Sequence, residues 1–97
     1  METVYIVGAV RTAIGKYGGS LKTVPAHTLA AEVMKEAVKR AGIQPDIIDE
    51  VILGEVRQST EASGIHCLHG RGTEASNIAR SALLEAGFPE TIPGFTV

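Results

Sequence analysis

The chain has 97 residues and a mass of 10.2 kDa, enough for one domain with one core and too little for a pair of linked modules. Its 9 basic and 11 acidic residues leave a net charge of −2, so there is no cationic excess to neutralise phosphates and no nucleic-acid partner is expected. With 44% hydrophobic and 21% charged residues and a mean hydropathy of +0.15, the composition is that of a chain that buries a core.

The aromatic share is only 4%, with no Trp, so the core is expected to be built from Ala, Val, Ile and Leu. Cys67 is the single cysteine; it excludes an internal disulfide framework and suits a reducing, cytoplasmic compartment. Glu2 at the start, and Arg11 and Lys16 inside the apolar run that follows, do not fit a secretory signal. No stretch reaches the length of a membrane span.

Val4-Tyr5-Ile6-Val7-Gly8-Ala9-Val10 is a nearly continuous apolar run rich in β-branched residues, the pattern of a strand covered on both faces of a parallel sheet. It is the first predicted strand. Arg11 to Val24 follows as a glycine-containing loop. From Pro25 to Ala41 the apolar residues fall on two adjacent ridges, Leu29/Val33/Ala37 and Ala30/Met34/Val38/Ala41, with Glu32, Lys35, Glu36 and Lys39 opposite. That spacing predicts an amphipathic helix, closed by Gly42 as a left-handed terminator. Lys39 and Arg40 sit where cations suit the negative end of the helix dipole. Pro45 opens a short turn, and Val51 to Val56 reads as a second strand.

Strand, helix and strand in that order form a βαβ unit, which requires a parallel sheet. A second helix is predicted over 77–86, with Ile78, Ala79, Ala82, Leu83 and Ala86 on one stripe, Ser76 or Asn77 as N-cap and Gly87 as terminator. Phe95-Thr96-Val97 begins a third strand, which the end of the sequence cuts short. Between the second strand and second helix, Thr60-Glu61-Ala62-Ser63 recurs as Thr73-Glu74-Ala75-Ser76. Removing 64–76 would join Ser63 to Asn77 and leave the helix an equivalent cap, so that segment reads as an insertion or short duplication.

Four groups of residues invite a chemical reading. Gly8, Gly15, Gly18 and Gly19 follow the first strand, but they give neither the G-x-G-x-x-G spacing nor a Walker loop, so they read as turn glycines. His66-Cys67-Leu68-His69 gathers soft ligands without the second, distant pair that zinc sites draw on. It reads as an exposed loop, and Cys67 as neither metal ligand nor nucleophile. Asp46, Asp49, Glu50, Glu61 and Glu74 lie where solvated turns explain them better than acid–base pairing does. His27 reads as a packing or capping residue at the start of the first helix, and Arg57 and Arg80 as structural cations.

The residues from Val4 through Gly15-Lys16-Tyr17-Gly18-Gly19-Ser20-Leu21 closely resemble the opening of the thiolases, in particular their acetyl-CoA acetyltransferase branch. The likeness continues through Ala41-Gly42, Asp49-Glu50-Val51-Ile52-Leu53-Gly54, Gln58, Asn77-Ile78-Ala79-Arg80 and Ile92-Pro93-Gly94-Phe95-Thr96-Val97. It covers the chain apart from 64–76. Glu55 and Arg57 depart from the smaller, neutral residues usual there.

The resemblance implies an α/β fold, a thiolase-like βαβα unit with parallel strands, truncated in its third strand. Residues 1–97 are then a partial thiolase N-terminal domain carrying an insertion at 64–76. Thiolases condense two acetyl-CoA molecules or cleave 3-ketoacyl-CoA in fatty acid metabolism, through an acyl-cysteine. The nucleophilic Cys of the family would lie just beyond Val97. The resemblance therefore places no catalytic, cofactor-binding or metal residue in this chain, and implies that it is inactive alone. Coenzyme A thioester would be the substrate of the complete enzyme. Gln58, Asn77 and Arg80 would belong to a loop approaching a second subunit, and the partner would be that subunit or the remainder of the thiolase chain. The rival expectation is a stand-alone binding or interaction protein using the 66–69 loop or an open sheet edge.

Overall fold

A computed structural model of the chain describes residues 2–56 and 77–97. Helix α1 (Ala26–Ala41) starts where the apolar ridges predict, with extended Pro25 as its N-cap. Gly42 takes φ 70°, and its N–H donates to the carbonyls of Val38 at 3.1 Å and Lys39 at 3.2 Å. A Cβ is strained in that left-handed conformation. Gly42→Ala is therefore expected to cost about 1 kcal/mol, read as a lower urea midpoint for loss of helix.

A single 3₁₀ turn, Pro45–Ile47, leads to strand β1 (Val51–Leu53). Helix α2 (Ile78–Glu85) and strand β2 (Gly94–Thr96) complete the described elements. The two strands pair in parallel, with Val51 opposite Gly94, Ile52 opposite Phe95 and Leu53 opposite Thr96. The ladder continues past the strand ends, since Val51 N–H donates to Pro93 O at 2.9 Å, Val97 N–H to Leu53 O at 2.9 Å and Glu55 N–H to Val97 O at 2.8 Å. The third predicted strand is thus fully engaged through its last residue.

The strands are parallel, as expected, and among the described residues the β–α–β unit whose strands pair is β1–α2–β2. Residues 4–10 are extended but join no ladder; among the described residues they make no backbone hydrogen bond. Val4 and Ile6 are each 89% exposed. A continuous apolar run signals burial on both faces, yet this segment is largely exposed and approaches α1 at Gly8, where a Cβ would lie 3.1 Å from Ala37 O. Strand propensity is present without a neighbour to pair with.

The core lies where α2 packs over the β1–β2 pair. Ile78, Ala79, Ala82 and Leu83 turn one buried stripe of α2 inward, and Leu83, Phe88 and Ile92 form a cluster that takes in Met34 and Val38 of α1 and Val51 of β1. Small side chains, Ala31 on α1 and Ala79 and Ala82 on α2, are fully buried and let the elements approach closely, as the low aromatic content predicts. Gly87, at φ 79°, ends α2.

Candidate functional site

Two side chains at the start of α2 fasten the approach to β2. Asn77 caps the helix, its Oδ1 accepting the Arg80 N–H at 3.2 Å, while its Nδ2 donates to Gly94 O at 2.8 Å. One amide thereby satisfies an orphan helix donor and the first carbonyl of a strand. Arg80 Nη1 donates to Glu90 O at 2.8 Å and Ile92 O at 3.0 Å. The 90–94 segment is held to α2 by three side-chain hydrogen bonds, so helix α2 fixes the approach to β2.

Gly94 completes this junction through its lack of a side chain. A Cβ there would stand 2.6 Å from Leu83 Cδ2 and 3.3 Å from both the Ala79 carbonyl carbon and the Arg80 nitrogen. Beside the carboxyl end of β1, Ala26, Ala30, Leu53, Gly54, Glu55, Val56 and Ile78 line an open recess of about 400 Å³. In α/β sheets the carboxyl ends of parallel strands are where ligands are received.

A second polar cluster joins the helices. His27 Nδ1 lies 2.5 Å from Glu85 Oε2, and Thr28 Oγ1 donates to Glu85 Oε1 at 2.8 Å. The His27 side chain is 12% exposed and that of Glu85 36%. Burial pushes the Glu85 carboxyl up, but the hydrogen bonds from Thr28 and His27 and the charges of His27 and Lys35 outweigh it and hold the group below its ordinary value.

Of the residues expected at a subunit-facing loop, Asn77 and Arg80 are brought together at the α2–β2 junction, and Gln58 lies outside the described residues. Arg57, Glu61, His66, Cys67, His69, Glu74 and the 64–76 segment lie outside them as well. Asp46, Asp49 and Glu50 are exposed, as solvated turn residues should be. Among the described residues no group of three or more His, Cys, Asp or Glu side chains could hold a metal ion, and no helix is long and apolar enough to cross a membrane. His27 has the packing role its position suggests. Its partner Glu85 went unrecognised because 58 residues separate the two and no local spacing links them.

A parallel β–α–β unit with a second helix packed on the crossover helix defines a piece of an α/β domain. Residues 4–97 match the family described as thiolase, N-terminal domain, and the chain belongs to that family. It is 43% identical over all 97 residues to an acetyl-CoA acetyltransferase of Cupriavidus necator, covering 21% of that protein. It is 41% identical, at the same coverage of both chains, to a probable acetyl-CoA acyltransferase of Staphylococcus aureus. The crystal structure of the Bacillus anthracis acetyl-CoA acetyltransferase superposes with a TM-score of 0.77 at 44% identity, over 95% of this chain and 20% of that one. The chain thus spans about a fifth of the length of the relatives it matches.

Proposed function

We propose that these residues form the opening of a coenzyme A-dependent acyltransferase, which condenses acetyl-CoA or cleaves 3-ketoacyl-CoA through an acyl-cysteine in the cytoplasm, as part of fatty acid metabolism. The observation that carries this reading is a likeness running along the whole chain to acetyl-CoA acetyltransferases about five times its length. In this reading the nucleophilic Cys, its His and the coenzyme A grip come from polypeptide beyond these residues. The 97 residues supply scaffold.

The unpaired segment 4–10 supports the same reading. It offers a run of N–H and C=O groups that are unpaired among the described residues, between exposed apolar side chains, which further polypeptide would pair and cover. A groove of about 790 Å³ between residues 9–13 and the Glu32, Val33, Glu36 and Arg40 side of α1 has room for more of it. Gln58, Asn77 and Arg80 then lie toward a second subunit.

The test is thiolysis of acetoacetyl-CoA by free coenzyme A. The 97-residue polypeptide alone is expected to give no turnover above buffer, and a polypeptide continuing in its natural sequence past Val97 is expected to give turnover that a thiol-alkylating reagent abolishes. Full activity of the short chain, or none in the extended one, contradicts the reading. The rival, a small binding protein using the 66–69 loop or the open edge, draws on the same free backbone at 4–10. Stoichiometric zinc binding abolished by Cys67→Ala would favour it.

A further inference from the structure

Helix α1 begins without two features that usually stabilise a helix start: it has no side-chain cap and no acidic residue in its first turn. Glu85 has the opposite anomaly. It is an anion at the last residue of α2, where the helix dipole disfavours negative charge, and no basic residue shares its last turn. The fold resolves both by bringing the Glu85 carboxylate across to His27 and Thr28, in the first turn of α1. We infer that His27, Thr28 and Glu85 form an acid-released latch between the helices, in which α2 lends α1 the anion its own sequence lacks.

The latch adds a polar tie to the apolar contacts at the start of α1. Ala31 on α1 and Ala79 and Ala82 on α2 are small buried residues, and Ile78 of α2 lines a recess with Ala26 and Ala30 of α1. His27 Nε2 is buried and has no hydrogen-bond partner among the described residues, and a ring released by Glu85 keeps no polar tie. The charged groups facing the carboxylate are His27 and, at longer range, Lys35, itself paired with Glu32 at 3.2 Å.

The sign of the pH effect follows from the carboxyl. A group that binds its proton more weakly in the folded chain stabilises fully above the ordinary carboxylate range and loses that contribution as pH falls through it. Exposure of Glu85 to solvent keeps the effect local and moderate.

Amide hydrogen exchange of the full-length polypeptide that carries these residues, corrected for intrinsic rates, tests the latch independently of any enzymatic activity. At neutral pH the first turn of α1 is expected to be protected, and acidification through the carboxylate range to speed its exchange roughly fivefold or more. Glu85→Gln is expected to show the faster exchange already at neutral pH and to lose the pH dependence in that window. Thr28→Val should move part of the way, and Glu36→Gln, which breaks only an exposed pair with Arg40, should behave as wild type. An unprotected first turn in the wild type at neutral pH overturns the inference. So does a Glu85→Gln chain that exchanges like wild type or loses protection over the same pH window.

Discussion

Gly94→Val is expected to separate β2 from α2 and to remove slow amide exchange from both. Even one added carbon would sit 2.6 Å from Leu83 Cδ2, inside any tolerated contact. The Leu83 side chain is fully buried, so any shift away from the new carbon pushes it into its packed neighbours. Nor can the strand back away, since Asn77 holds Gly94 O at 2.8 Å and Val51 holds Pro93 O at 2.9 Å. Overpacking of this kind costs about 1–3 kcal/mol for small additions and more for a branched side chain. The expected readout is loss of protection across Ile78–Glu85 and Val51–Leu53 together, with α1 helicity less affected. Gly54→Ala is the control: nothing lies within 4 Å of a Cβ there, and it should leave protection unchanged.

Leu83→Ala is expected to be equally damaging from the opposite direction. Leu83 is the largest fully buried side chain among the described residues and belongs with Phe88 and Ile92 to the cluster against which Met34 and Val38 of α1 pack. Truncation loses its transfer free energy and leaves a cavity, about 2–5 kcal/mol in all. For a domain of this size that is a large part of total stability. Helical ellipticity should fall toward the unfolded value in dilute urea, whereas Leu83→Met should cost less than about 1.5 kcal/mol. Leu84→Ala, at a neighbouring residue 48% exposed, should be nearly silent. Equal effects at 83 and 84 would show that α2 does not pack as described.

The parts of this fold that sequence reveals are those fixed within a few residues. Gly42 and Gly87 take the left-handed conformations their positions suggest, Asn77 is the N-cap, and Pro45 opens its turn. The amphipathic period finds α1 but not which part of its apolar face meets α2. The deeply buried position is Ala31, beside the ridges read from the sequence, because α2 sets that angle. Residues 4–10 show the same limit more sharply. Their composition specifies a strand and says nothing about what pairs with it, and β1 takes β2 as its neighbour instead. The latch was hidden for a similar reason, since a carboxylate at the end of one helix looks merely solvated until the start of another is placed beside it. The helix pattern marks Asn77 as a cap and Arg80 as a structural cation, and the family resemblance places both near a subunit-facing loop. Only their hydrogen bonds to Gly94, Glu90 and Ile92 give them a physical task at the junction.

In the proposed function these residues open a longer acyltransferase. This is tested most directly by the intact mass of the polypeptide carrying this sequence in the organism that makes it. The expected mass is several times 10.2 kDa, with the sequence continuing from Val97 into the polypeptide that pairs and covers residues 4–10. A mass near 10.2 kDa would contradict it and leave the small binding protein as the reading to pursue.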